Sequence, residues 1–308
     1  MRCLWLIVLL LLAGCGAPQL DQFGAACTVI KRAELPLTLD HNFLLAPVWL
    51  DKTGAFLVVD TGAEVSLLTP ESAARLTLAQ DGGPGTTLLG VSGSVHSDNV
   101  RLHSMEVGAI HRADLSMTVG ALSGFERTAL PVSGLLGDDL LARYDVELDV
   151  PDHRMALYET RNCTGFSPVG FDAWHHDFEP VRLRRTASGL AFMSVTVDGK
   201  PLRALLDSGA RSSLMTRAAA HAIGVTDAML EHDPARKGQG VGTGDVVFRQ
   251  HRFDRVAIGD TPPHAMEINV ATTDLPAIDM LLGADWLATR RVWLPARGTG
   301  QTLFVQAP

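Results

Sequence analysis

The sequence predicts an all-β protein, mainly strands with few short helices, arranged as two pseudo-symmetric lobes. Short apolar runs alternate with turn residues along most of the chain, which is typical of small barrels and sandwiches. In addition, the stretch FLVVDTGAEVSLL at residues 56–68 returns as LRALLDSGARSSLM at residues 202–215. A repeat this long indicates two duplicated domains and not a solenoid of short units.

Each copy of this stretch places an aspartate at the end of a hydrophobic strand. Asp60 and Asp207 lie 147 residues apart, and Gly62 and Gly209 follow them at the same spacing. A carboxylate at the tip of a buried strand is costly, because low dielectric disfavours its charged form. Two such aspartates in matching surroundings indicate a pair that shares a proton.

A second motif follows each aspartate, Leu-Leu-Gly at residues 135–137 and 281–283. Together the motifs resemble the retropepsin-like aspartic protease family. The resemblance covers most of the chain from about residue 32, and it implies two retropepsin-like, or acid-protease, barrel lobes. Viral members carry one motif per subunit and dimerise, whereas this chain carries both halves, so we expect a monomer. Ala63 and Ala210, after each glycine, are closer to the retroviral form of the motif.

The resemblance implies an aspartic endopeptidase acting on extended polypeptide. Asp60 and Asp207 would activate a water between them, one ionised and one protonated. The sequence does not assign these two roles. Thr61 and Ser208 would brace the two loops through their hydroxyls. Gly62 and Gly209 would keep the backbone close and donate N–H groups, and Ala63 and Ala210 complete the motifs. No metal or organic cofactor is implied.

Glycine-rich stretches occupy the positions of the family's flaps, hairpins that fold over the substrate. These residues are Gly90, Val91, Ser92 and Gly93 in the first half, and Gly240, Val241 and Gly242 in the second. A flap would bind an extended substrate by strand addition. Neither stretch contains the tyrosine of pepsin-like flaps. Two ordinary surface hairpins are the alternative.

In chain order, the first lobe is expected to start with a hairpin of residues 46–51 and 55–60. A helix at 69–76, capped by Thr69, a helix at 138–143 and a strand at 145–150 follow. The second lobe repeats this order, with a hairpin of residues 192–198 and 202–207, helices at 216–223 and 284–289 and a strand at 292–294.

The N-terminus resembles a bacterial lipoprotein signal. Residues 1–15 contain one arginine, an apolar run too short to span a bilayer, and a small-residue site directly before Cys15. We therefore expect lipidation of Cys15 and a periplasm-facing, membrane-anchored protein of the bacterial cell envelope. A cleaved secretory signal and a short uncleaved anchor are the alternatives. Residues 16–31 are interpreted as a tether.

Two cysteines remain after export, Cys27 and Cys163. An oxidising compartment favours a disulfide between them, and two unpaired thiols are the alternative. The predicted domains are an N-terminal lobe at 32–160, a linker at 161–177 where periodicity is lost, and a C-terminal lobe at 178–308.

Composition excludes several other functions. The net charge of −8 and the short basic clusters at 182–185 and 290–291 do not suggest nucleic-acid binding, and we expect those clusters on the solvated surface. No HExxH-type zinc helix and no Gly-x-Ser-x-Gly elbow occurs. Asp138, Asp139 and Asp285 are interpreted as capping or surface charges.

Two non-enzymatic interpretations remain open at this point. One is a periplasmic peptide-binding lipoprotein that captures extended chains in the same cleft without cutting them. The other is a structural envelope lipoprotein that uses the lobes as a scaffold. Retention of both aspartates disfavours the scaffold, because it gains nothing from two opposed buried carboxylates.

Overall fold

A computed structural model describes residues 27–90, 93–163, 166–168, 174, 177–238, 246–271 and 278–306. Strands dominate these ranges, and the helices are four to six residues long. The predicted all-β fold with few short helices is confirmed.

The first half of the chain forms one lobe. Its elements are β1 (Thr28–Pro36), β2 (Thr38–Asp40), β3 (Phe43–Leu50), β4 (Thr53–Val59), β5 (Leu67–Leu68), α1 (Pro70–Arg75), β6 (Thr86–Gly90), β7 (Gly93–Ser97), β8 (Asn99–Val107), β9 (Ile110–Val119), β10 (Val132–Leu136), α2 (Asp138–Leu141), β11 (Asp145–Asp149) and β12 (Arg154–Arg161).

The second half repeats the order with small changes. Its elements are β13 (Glu179–Arg185), β14 (Ala191–Val197), β15 (Lys200–Leu206), β16 (Leu214–Met215), α3 (Arg217–Ala222), α4 (Asp227–His232), β17 (Ala235–Gly238), β18 (Val246–Ile258), β19 (His264–Ala271), β20 (Met280–Leu282), α5 (Ala284–Leu287), β21 (Arg291–Leu294) and β22 (Thr302–Gln306). The predicted hairpins and helices are present, whereas the sequence analysis did not identify α4.

Both lobes have the same strand order. The first runs β3-β4-β10-β5-β9-β8 and the second β14-β15-β20-β16-β19-β18, and pairings β3–β8 and β14–β18 close each sheet into a six-stranded barrel. In each barrel the strand that leads to the aspartate is parallel to the strand that leads to Leu-Leu-Gly. The lobes are therefore related by pseudo-twofold symmetry.

The barrel interiors explain the apolar strands. Alternate residues point inward along each strand, so Leu44, Leu57 and Leu102 are fully buried in the first barrel. Phe253 and Ile268 occupy the second barrel with 1% exposure or less. Each such side chain contributes about 1.5–3 kcal/mol relative to an exposed position.

A shared sheet joins the lobes. From one edge inward its first six strands have the order β1-β12-β11-β21-β22-β13, three from each lobe, and β11 pairs antiparallel with β21. The strand β1 begins at Thr28, inside the stretch interpreted as a tether, because it pairs with β12 from Thr28 onward. A disulfide joins Cys27 to Cys163 at this edge.

A buried ionic cluster lies across the β11–β21 contact. Glu147 is fully buried. It accepts hydrogen bonds from Arg291 Nε at 2.6 Å, Arg154 Nη2 at 2.8 Å, Tyr158 Oη at 2.8 Å and Trp174 Nε1 at 3.0 Å. Arg291 belongs to the second lobe and Glu147 to the first, so the cluster ties the lobes together.

Two expectations from the sequence are wrong here. Arg291 was expected on the solvated surface, but its side chain is 11% exposed because Glu147 and Asp149 neutralise it. Trp174 falls in the predicted linker, yet it is 1% exposed and packs on Trp293 in an aromatic cluster under the shared sheet.

We predict that Glu147→Gln lowers the free energy of unfolding by about 3 kcal/mol, because it removes the fully buried carboxylate that the Arg154 and Arg291 guanidinium groups share. Urea unfolding of the full-length protein measures this. Glu106→Gln is the matched control. Glu106 is exposed and lies 3.9 Å from the His111 ring, so its replacement should change stability by less than about 0.5 kcal/mol. Equal effects of the two changes would contradict an interlobe role for Glu147.

Candidate active site

The two motif aspartates sit at the same place in their barrels. Asp60 follows β4 and donates its backbone N–H to Leu136 O at 3.0 Å, and Asp207 follows β15 and donates to Leu282 O at 3.0 Å. Each aspartate is thus held where two parallel strands end together. The pseudo-twofold symmetry brings the two positions face to face between the lobes.

Reciprocal hydrogen bonds lock the two aspartate loops to each other. Thr61 N–H donates to Ser208 Oγ at 3.0 Å, and Ser208 N–H donates to Thr61 Oγ1 at 3.1 Å. Each hydroxyl then donates across the boundary, Thr61 to Leu206 O at 2.8 Å and Ser208 to Val59 O at 2.7 Å. Both side chains are fully buried, so every one of these polar groups has a partner where water does not reach.

The glycines of the motifs let the loops meet. A Cβ atom at Gly62 would overlap the Asp207 carboxylate, and one at Gly209 would overlap the Asp60 carboxylate. Each carboxyl group therefore lies against the motif glycine of the opposite lobe. A side chain larger than hydrogen at either glycine would push the aspartates apart.

The two carboxylates accept different numbers of backbone hydrogen bonds. Asp207 Oδ1 accepts from Gly209 N–H at 3.1 Å and from Ala210 N–H at 2.9 Å. Asp60 Oδ1 accepts from Gly62 N–H at 2.9 Å, whereas Ala63 N–H is directed to the Asp60 backbone carbonyl at 3.4 Å. Donors stabilise the charged form, so the geometry favours Asp207 as the ionised partner.

The pKa shifts agree with this asymmetry. Burial raises the pKa of Asp60 well above its ordinary value, and the charge of Asp207 raises it further. Burial also raises the pKa of Asp207, but the hydrogen bonds from Ala210, Asp60 and Gly209 oppose that rise. Both carboxyls are therefore shifted toward the protonated form, and the second backbone donor on Asp207 favours Asp60 as the partner that keeps a proton.

The Leu-Leu-Gly motifs pass directly behind the aspartate loops. A Cβ at Gly137 would crowd the backbone of Val65 and Ala63, and one at Gly283 would crowd Ser212 and Ala210. The next residue then bonds to the loop, since Asp138 N–H donates to Ala63 O and Ala284 N–H donates to Ala210 O, both at 2.8 Å. Glycine is needed here because two backbones touch.

Two serine–aspartate pairs brace the aspartate loops. Ser66 donates to Asp139 Oδ1 through its N–H at 2.8 Å and its hydroxyl at 2.6 Å. Ser213 makes the equivalent bonds to Asp285 at 2.9 and 2.8 Å. Asp139 and Asp285 were interpreted as capping or surface charges, but they hold the loops in place. The repeat itself could have identified these serines, which are also 147 residues apart.

Asp138 breaks the symmetry of the site. The equivalent residue in the second lobe is Ala284, yet Asp138 is only 2% exposed, which contradicts the expected surface position. Its nearest charged partner is Arg185 of the second lobe, 3.6 Å from Oδ2 and also expected at the surface. Burial raises the pKa of Asp138 to about 7, against the opposing charge of Arg185.

Two of the predicted flap positions, Gly90 and Gly93, lie on a hairpin near the first aspartate loop. β6 pairs with β7 from Thr86 to Gly90, which is opposite Gly93. Leu88 and Val95 of this hairpin pack in an apolar cluster with Ala63. In the second lobe, β17 pairs with β18, and Val246 and Phe248 pack in a cluster with Ala210.

The structure describes only part of the predicted flaps and none of residues 1–26. Val91, Ser92, Gly240, Val241, Gly242 and Cys15 lie outside the described residues. Within the described ranges, no group of three or more His, Cys, Asp and Glu side chains has an arrangement that could hold a metal ion.

Comparison with known proteins gave one family match. A family model described as aspartyl protease matches residues 46–140 and 193–286, one segment in each lobe. No curated protein matches the chain. Among solved structures, basic 7S globulin from soybean is similar over 91% of this chain and 95% of its own, at 12% identity and a TM-score of 0.47.

The buried carboxyl of Asp138 generates a prediction about stability and pH. Because its pKa is raised on folding, the folded state binds more protons than the unfolded state between about pH 4 and 7. Stability from this group is therefore lost as pH rises through that window, by at most about 1.4 kcal/mol per pH unit. Asp138→Ala, which introduces the residue of the second lobe, should remove this loss.

Urea unfolding at several pH values between 4 and 8 tests this. The unfolding free energy of Asp138→Ala minus that of the parent should rise between about pH 4 and 7 and level off above pH 7. Asp254→Ala, at an exposed position on β18, should leave the pH dependence unchanged. A constant difference between Asp138→Ala and the parent at all pH values would show that Asp138 keeps an ordinary pKa in the folded protein.

Proposed function

Because the chain belongs to the aspartyl protease family, we propose that it is an endopeptidase in which Asp60 and Asp207 activate a water molecule for attack on a peptide bond. The observation that carries the proposal is the pair of buried, facing carboxyl groups, one from each lobe, on loops locked together by Thr61 and Ser208. Two carboxyls this close cannot both ionise, which leaves one base and one acid in the same site.

The roles follow from the unequal hydrogen bonding. Asp207, with two backbone donors on Oδ1, takes a proton from the water, whose oxygen bonds to the carbonyl carbon. Asp60 gives its proton to the carbonyl oxygen. As the resulting diol collapses and the C–N bond breaks, Asp207 gives its proton to the leaving nitrogen. Asp60 takes a proton back from one diol hydroxyl, which leaves a carboxylic acid, an amine and the site in its starting state. The catalytic step needs both protonation states at once, as general acid–base catalysis requires.

An extended polypeptide is the substrate that this site suits. Hairpins β6–β7 and β17–β18 lie beside the aspartate loops, one from each lobe. Hairpins in that position can pair with an extended peptide through their backbone groups, which favours unfolded segments over folded surfaces. We propose that both hairpins act as flaps.

The location of the protein is part of the proposal. Residues 1–15 have the composition of an export signal ending at Cys15, and we propose a monomer, lipid-anchored at Cys15, facing the periplasm of a bacterial envelope. The disulfide Cys27–Cys163 supports an oxidising compartment. None of the helices in the described ranges is long and apolar enough to cross a membrane.

We predict that Asp60→Asn and Asp207→Asn each reduce cleavage of an unfolded protein substrate by about 10²–10⁴-fold, because each removes one half of the acid–base pair. The assay uses full-length protein in detergent micelles from pH 3 to 8. Parental activity should extend above the usual pH range of carboxyl groups, because the pKa of Asp60 is raised. Activity should fall at high pH as Asp60 loses its proton, and at low pH as Asp207 gains one.

The control variant is Asp227→Asn, an exposed aspartate on α4 that pairs with Arg217 and His221. It should cleave at the parental rate. If Asp60→Asn or Asp207→Asn also retains that rate, the two-carboxylate mechanism is wrong. If the folded parent cuts nothing at any pH yet binds extended peptides, the protein is a peptide-binding protein.

A further inference from the structure

The residues that follow the two active-site motifs differ in charge. Glu64 lies four residues after Asp60, and Arg211 lies four residues after Asp207. The pair keeps the repeat spacing of 147, so Glu64 and Arg211 occupy equivalent positions in the two lobes. Both are exposed. A fold that is symmetric in its backbone is therefore asymmetric in charge next to the aspartates.

Each of these side chains reaches across to the other lobe. Ser188, in the loop between β13 and β14, donates its hydroxyl to Glu64 Oε1 at 2.6 Å. Arg211 Nε donates to the backbone carbonyl of His41, between β2 and β3, at 2.9 Å. The Arg211 guanidinium also lies 5.1 Å from the centre of the Phe43 ring.

These contacts place both charges on the boundary between the lobes. The pseudo-twofold axis passes between Asp60 and Asp207, so Glu64 and Arg211 lie on opposite sides of the aspartate pair. An extended peptide with its scissile bond at the aspartates would run along this boundary. It would meet a carboxylate on one side of that bond and a guanidinium on the other.

We propose that Glu64 and Arg211 select substrates by charge, with a basic side chain on one side of the scissile bond next to Glu64 and an acidic side chain on the other side next to Arg211. The proposal rests on the proposed endopeptidase function and specifies its substrate class. Because a peptide has a direction, the two opposite charges also determine which way the chain lies in an otherwise symmetric cleft.

The net charges of the two lobes have the same signs as Glu64 in the first lobe and Arg211 in the second. Residues 32–160 carry 18 Asp and Glu against 8 Lys and Arg, whereas residues 178–308 carry 13 against 15. The hairpins beside the cleft differ in charge in the same direction, with more basic residues in the second lobe. Strand β17 has exposed Arg236 and Lys237, whereas β6 and β7 contain no Lys or Arg. An acidic segment of substrate is thus favoured toward the second lobe.

Matched peptides test the proposal. All share one scissile core and carry Lys, Glu or Gln on either side of it in every combination. Full-length parent protein in detergent micelles should prefer one Lys/Glu orientation over its reverse. Exposed ion pairs contribute modestly, so we expect about three- to fivefold in kcat/KM per charged position, less at high salt.

The double variant Glu64→Arg/Arg211→Glu should reverse the preferred orientation, and each single variant should lose the preference at one position. The control is Glu106→Arg/Arg112→Glu, the same exchange of charges on β8 and β9, outside the aspartate loops. It should keep the parental preference. An unchanged preference in the first double variant, or an equal reversal in the control, would overturn the proposal.

Peptide binding can be measured without cleavage, so it tests charge selection independently of the endopeptidase activity. If the parent cleaves none of the peptides, the endopeptidase proposal fails, and fluorescence anisotropy of the same labelled peptides then tests the charge selection alone. An affinity order that follows the Lys/Glu orientation and reverses in Glu64→Arg/Arg211→Glu supports it. Equal affinities for both orientations in the parent overturn it.

Discussion

The reciprocal hydrogen bonds between Thr61 and Ser208 are the contact on which the site depends. They join two loops from lobes that also meet through the shared sheet at β11 and β21. Two partly charged carboxyl groups in low dielectric repel each other and favour separation. The buried hydroxyls oppose that separation, because opening the loops would leave four polar groups without hydrogen-bond partners. Each unpaired group would cost about 1–3 kcal/mol of folding free energy. The chemistry of Asp60 and Asp207 is thus maintained by neighbours that take no part in it.

Much of this arrangement could be predicted because the chain repeats itself. A residue type that recurs at a spacing of 147 in matching surroundings has the same local role twice, which identified Asp60 and Asp207, their glycines and the capped helices α1 and α3. The same reasoning would have found Ser66 with Ser213. Features that occur once could not be predicted in this way. Asp138, Arg185 and Arg291 look like surface charges in a sequence, because only the folded chain shows which opposite charge is buried beside them.

Departures from symmetry give this protein its own properties. Asp138, whose equivalent in the second lobe is Ala284, adds one buried carboxyl near the first aspartate loop. Glu64 and Arg211, which are also equivalent positions, give the two sides of the cleft opposite charges. Asp207 accepts one more backbone hydrogen bond than Asp60, which favours Asp60 as the protonated partner. A perfectly symmetric dimer would have to acquire such differences from its substrate, whereas a single chain can encode them in two separately varying halves.

The shared proton is the central claim, and NMR of aspartate labelled with ¹³C at Cγ measures it most directly. The resonances of Asp60 and Asp207, assigned with the Asn variants, should respond to the same two titration steps, separated in pH, and one proton should remain on the pair between them. The upper step should report mainly on Asp60. If both carboxyl groups instead titrate independently near the ordinary aspartate value, they do not form the acid–base pair on which the proposed mechanism depends.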